Sequence, residues 1–137
     1  MPESRAAKIF GETCLEEGDY TPIIESFGDV VVRVDDSGWT GDTYVLLRKN
    51  DKLGILVFGW GSCSGCDALQ ACRTLEDRDN LIDHLERNIK WFDTLADAQS
   101  YMGDNEARER EFYLYTDSWK HFQAKVLALP ALSSGVA

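Results

Sequence analysis

The chain holds only two histidines, three prolines and two methionines in 137 residues. Two histidines leave little material for an imidazole-built metal centre. Long apolar runs are also missing. The longest, "GILVFGW" at residues 54–60 and "VLAL" at residues 126–129, fall far short of the roughly 18–20 residues of a membrane span. The opening stretch "MPESRAAKIFGETCLEE" scatters charges and has no apolar centre, so it does not read as a secretory signal. A cytoplasmic protein away from membranes is expected, its four cysteines reduced. Basic charge is the other shortage. Fourteen Lys and Arg stand against 24 Asp and Glu, a net charge of −10. That argues against binding nucleic acid by neutralising phosphates, and against docking on anionic lipid. No repeat or low-complexity linker divides the chain.

What is present fits a folded protein. Hydrophobic residues make up 44% of the chain and include fifteen aromatics. A single domain over residues 1–137 is long enough to bury a core without disulfides or metal. Its end, "ALSSGVA" at 131–137, reads as a flexible tail. The acid is uneven: residues 76–117 hold twelve Asp or Glu against five Lys or Arg, while residues 27–75 hold six against five. A solvated helical surface explains this simply. The sharper alternative is an acidic face that meets a basic partner or imitates nucleic-acid phosphates.

The pattern of residues predicts a helix over 3–16 with Ile9 and Phe10 inward, then an interruption at Gly18 and Pro22. "DVVVRV" reads as a strand from about Asp29 to Val34. "SGWTGD" is a turn cluster, "TYVLLRK" a second strand over 43–49, and "KLGILVFGW" a third. Short connections make these an antiparallel meander. "SGCDALQACRTL" and "EDRDNLIDHLERNI" read as helical, the second with Ile82, Leu85 and Ile89 on one side. "NIKWF" suggests a short fourth strand. "DTLADAQSYMG" is a helix capped by Asp93 or Thr94, with Leu95, Ala98 and Met102 on one face and Gly103 at its stop. "TDSWKHFQAKVLAL" is another, with Trp119, Phe122 and Val126 inward. Strands first and helices later favour an α+β fold, its antiparallel sheet of three or four strands covered on one face by helices.

Chemistry concentrates in "LVFGWGSCSGCDALQAC", residues 56–72. Four readings compete. In a thiol–disulfide reading, Cys63 attacks and Cys66 resolves, with a helix N-terminus lowering the thiol pKa. Against it stand a meander in place of a βαβ unit and the charge of Asp67 beside the thiols. The prolines, at 2, 22 and 130, also miss the place where thioredoxin-like proteins set one beside their cysteines. In a metal reading, Cys63 and Cys66 form half of a zinc site. The other half is unsignalled beyond His84 and a carboxylate. Cys72, six residues past Cys66, would sit roughly 240° around a continuous helix. In an anion-cradle reading, Gly59, Gly61, Ser62, Ser64 and Gly65 supply a nest of N–H groups. The lysine of a phosphate loop is absent, though, and Cys66 and Asp67 occupy its place. In a structural reading, the glycines turn the chain sharply, Ser62 or Ser64 caps a helix, Asp67 complements its dipole, and the cysteines pack as small apolar groups. The structural reading has the most in its favour.

Elsewhere, His84 sits among acids and reads as exposed, His121 as a core-margin residue, and Cys14 as packing. Trp39, in a glycine-rich turn, is either an exposed binding anchor or folded onto the sheet. Trp60 is expected beside the cysteine corner. No Ser–His–Asp, HExxH or paired-carboxylate signature stands out, and no cofactor is implied.

The "GWGSCSGCDALQAC" core, followed by an acidic helix, "IKWFD" and a last Trp-containing helix, resembles a set of small uncharacterised proteins encoded by bacteriophages and bacteria. The resemblance spans roughly residues 44–126. It implies a phage or mobile-element accessory protein that binds a host protein, and it brings no catalytic residues with it. The expectation is therefore a non-enzymatic protein binder. Trp39, Trp60, Ser62, Ser64 and Asp67 are its candidate contacts. A thiol oxidoreductase or redox sensor, or a small metal-stabilised domain, both using Cys63 and Cys66, are the alternatives.

Overall fold

The computed structural model describes residues 4–10, 20–38, 41–61, 67–104 and 117–130. Trp39, Ser62, Cys63, Ser64, Gly65, Cys66, Cys14 and the expected tail lie outside those residues.

Four strands form one antiparallel sheet in the order β1-β2-β3-β4. β1 runs Asp29–Asp35, β2 Gly41–Lys49, β3 Lys52–Trp60 and β4 Lys90–Phe92. All four strands of the expected meander are present. β2 and β3 pair along their whole length, from Gly41↔Trp60 to Lys49↔Lys52. Asn50 and Asp51 make the two-residue turn between them, with φ of 53° and 65°. Two successive left-handed residues give the turn twist that suits a tight hairpin, and Asn and Asp tolerate that conformation best after glycine. β1 carries a bulge between Val30 and Val32.

Helices cover both faces of this sheet, not the single face expected. Five helices are described: α1 Arg5–Phe10, α2 Thr21–Phe27, α3 Leu75–Arg87, α4 Leu95–Gly103 and α5 Asp117–Leu127. On one face Val45, Leu47, Leu56 and Phe58 pack with Ala6, Ile23, Ile24, Phe27, Ile82 and Leu85 of α1, α2 and α3. On the other, Tyr44, Leu46, Leu53 and Ile55 pack with Leu95, Ala98, Met102, Trp119, Phe122 and Val126 of α4 and α5. The signal was in the strands. "YVLL" and "GILVF" are continuous apolar runs, and a strand buried on both sides has no polar face to alternate with. None of the described helices is long and apolar enough to cross a membrane.

The helices start where side chains satisfy free N–H groups. Thr74 accepts from Asp77 N–H at 3.0 Å, and Asp77 accepts back from Arg73 N–H at 3.0 Å. This reciprocal cap sets the start of α3. Thr94 does the same for α4, accepting from Asp97 N–H at 3.1 Å. Pro22 lies in the first turn of α2, where a missing N–H costs nothing. It opens a helix where an interruption was expected.

Candidate functional site

The corner that follows β3 is held at its neck. Gly61 is buried at one side of residues 62–66, and Asp67, only 3% exposed, stands at the other. The Asp67 carboxylate accepts from Gly61 N–H at 2.9 Å and from the Tyr20 hydroxyl at 3.2 Å through one oxygen, and from Gln70 N–H at 3.0 Å through the other. The Gln70 side chain donates to Gly61 O at 3.1 Å. Both backbone groups of Gly61 are thus bound by side chains from one short stretch, a clasp that ties residue 61 to residues 67–70. Tyr20 completes the clasp, since its hydroxyl accepts from Leu69 N–H at 3.1 Å. Burial pushes the Tyr20 phenol far above its ordinary pKa of 10.0, which keeps it a neutral donor to the carboxylate.

This arrangement revises the expected helix over 64–75. Residues 68–71 form a turn, with Ala71 N–H donating to Asp67 O and Cys72 N–H to Leu69 O. The first described helix after the corner is α3, capped by Thr74. Asp67 therefore serves Gly61, Gln70 and Tyr20; it does not complement a helix dipole. It also takes the Gly61 N–H, which the anion cradle would need. Among the candidate contacts, the structure brings Trp60 and Asp67 together.

They share a cavity of about 140 Å³ with Tyr20, Gly61 and a second polar network. In that network Arg33 grips Asp35 through Nε and Nη2 at 3.1–3.3 Å and donates from Nη1 to Thr21 at 2.7 Å. The buried Thr43 hydroxyl donates to Asp35 as well. Trp60 Nε1 is buried and has no acceptor among the described residues. A volume of this size admits a few water molecules or a very small ligand.

Cys72 is half-buried, with its Sγ 3.3 Å from Ala68 O. Burial raises its thiol pKa, so it is a poor nucleophile at neutral pH. His84 is exposed on α3, its Nε2 3.2 Å from the Asn88 amide. His121 is exposed too, where a core margin was expected, because Trp119 and Phe122 take the buried side of α5. No three His, Cys, Asp or Glu gather as metal ligands among the described residues.

The acids of α3 divide into two sets. Asp79 accepts from Ser4 Oγ at 2.9 Å and Ala6 N–H at 2.8 Å, and Glu86 takes Arg5 bidentately at 2.8 and 3.1 Å. These hold α1 on α3. Glu76, Asp77 and Asp83 are exposed, although Asp83 also accepts from Arg5 Nη1 at 3.3 Å and Asp77 serves the cap of α3. Beyond the end of α3, Trp91 is 37% exposed. It borders a groove of about 380 Å³ with Lys49, Asn50, Lys52 and Glu86. Trp91 is an exposed indole that the sequence reading did not single out. Its "KW" position in a three-residue edge strand was the only hint. Tyr20 had no sequence signal as a partner of the corner, and Gln70 had only its spacing of three from Asp67.

Compared with protein-family models, with curated proteins and with solved structures, the chain matches none.

Proposed function

We propose that this chain is a non-enzymatic accessory protein that binds another protein through the outward acids of α3 and the indole of Trp91. One observation carries the reading. Glu76, Asp77 and Asp83 are exposed on a helix whose apolar side is fully engaged, and Trp91 lies exposed beside that helix. A charged rim with an aromatic anchor is the usual make-up of a protein-binding patch. The net charge of −10 directs this face to a basic partner surface. The likeness of "GWGSCSGCDALQAC" to bacteriophage and bacterial proteins supports an encoded-by-phage origin and a host protein as the target.

The test is affinity capture from the host, read by mass spectrometry. Capture by the wild type should fail with a Glu76→Lys/Asp83→Lys variant and weaken with Trp91→Ala. An absence of any protein retained above background removes the proposal. Release of the partner by salt and by added DNA identifies the version in which the acids imitate phosphates.

A further inference from the structure

The outer edge of the sheet leads beyond that surface. β1 is the first strand of the sheet, and no described strand pairs with its outer side. The hairpin tells which way its backbone points. Asp36 N–H donates to Asp42 O at 2.9 Å, so Asp36 turns its amide toward β2. Backbone groups of an antiparallel strand alternate sides from residue to residue. Val34 and Val32, opposite Tyr44 and Leu46, therefore also turn toward β2. Arg33 and Asp35 turn theirs outward. The bulge between Val30 and Val32 ends the regular stretch. Two residues thus present two N–H and two C=O groups to whatever lies beside the sheet, and such a row is a template for another strand.

We propose that this edge pairs with β1 of a second copy of the chain, antiparallel, about a two-fold axis at Val34. Charge selects the register. An axis at Arg33 opposes two guanidinium groups, and an axis at Asp35 opposes two carboxylates. An axis at Val34 sets Arg33 against Asp35 of the second copy, twice, with Val34 facing its own equivalent. It is also a register in which the outward groups of both Arg33 and Asp35 are exchanged with the second copy. Arg33 already holds its own Asp35 at 3.1–3.3 Å, so the four side chains close into a ring of alternating charge. Opposite charges directly across two strands favour pairing.

The surroundings agree with this register. It places Val32 opposite Asp36 of the second copy. A groove of about 360 Å³ beside Val32 is lined by Val31, Ala128, Leu129 and Lys125, and the Lys125 ammonium can meet that aspartate. Two of the exposed large apolar side chains, Val30 at 41% and Leu127 at 45%, adjoin the groove residues in sequence. Pairing would continue the sheet from one copy into the next.

Light scattering after gel filtration gives the first test. The wild type should show twice the 15.4 kDa chain mass at about 100 μM. Val34→Cys gives the second. Residues facing each other in a non-hydrogen-bonded pair lie about 4.5 Å apart at Cα, within disulfide reach. Mild oxidation should convert this variant to a covalent dimer and leave the wild type, with its native cysteines, as separable chains. Arg33→Glu should raise the dissociation constant about tenfold or more, and Arg33→Glu/Asp35→Arg should bring it back to within about threefold. A wild-type monomer mass at about 100 μM, or no covalent dimer from Val34→Cys, overturns the proposal. If Arg33→Glu does not fold, those two readouts still decide.

Discussion

Removing the carboxylate of Asp67 should cost this protein a large part of its stability. Asp67→Ala leaves Gly61 N–H and Gln70 N–H without acceptors at a site where the carboxylate is 3% exposed. A buried donor deprived of its partner costs about 1–3 kcal/mol. The Tyr20 hydroxyl loses its acceptor too, though it can still accept from Leu69. Together these losses amount to about 4 kcal/mol, against a total of about 5–15 kcal/mol for a domain. Urea unfolding followed by tryptophan fluorescence reads the effect directly, since Trp60 shares the cavity with Asp67. With a slope of about 2 kcal/mol/M, the midpoint should fall by about 2 M. Asp67→Asn should fall by about half as much. Its oxygen can still serve Gly61 and Tyr20, while its NH₂ group meets the Gln70 N–H. A double cycle with Tyr20→Phe should show a coupling of about 1 kcal/mol. A midpoint shift under about 0.5 M for Asp67→Ala would refute the clasp.

Gly54→Ala tests the packing under Trp91: a Cβ there would come within 2.7 Å of Ile89 Cγ2 and 2.8 Å of the Trp91 ring. We expect a loss of about 1–3 kcal/mol and faster amide exchange across the β3–β4 pairing, with unchanged exchange and stability refuting the close approach. The Arg5–Glu86 pair predicts a pH dependence. The Arg5 hydrogen bonds and charge hold the Glu86 carboxyl below its ordinary value of 4.5. A carboxyl with a lowered folded-state pKa adds stability above its unfolded value and loses it as pH falls through the folded value. Glu86→Gln should therefore be less stable than the wild type at neutral pH, and the gap should close as pH drops below 4.5. The check is thermal unfolding at a series of pH values; a gap that is constant or widens in acid contradicts the assignment.

Local chemistry was legible wherever one segment could satisfy itself. The valine-rich and continuous apolar runs marked three strands, because β-branched side chains suit a pleated surface. The Thr94 cap and the Leu95, Ala98 and Met102 face were readable for the same reason: a cap and its face lie within a turn or two of each other. The cysteine corner was legible as a place and not as an arrangement. The expected helix over 64–75 competes with a turn that a distant tyrosine stabilises, and helical spacing says nothing of Tyr20. The covering of both sheet faces was open to reading in "YVLL" and "GILVF", whereas the order of strands first and helices later pointed to one covered face.

By itself, the sequence determined the class of fold, the strand order, most helix starts and the surplus of acid. Each of these depends on propensity, capping or charge within a few neighbouring residues. Only the tertiary structure decided that Asp67 binds Tyr20, that Asp79 and Glu86 fasten α1, and that Trp91 stays exposed. Those outcomes pair groups 47 to 81 residues apart, or turn on what a side chain has above it. Folding alone brings such groups together, so no window of sequence contains them.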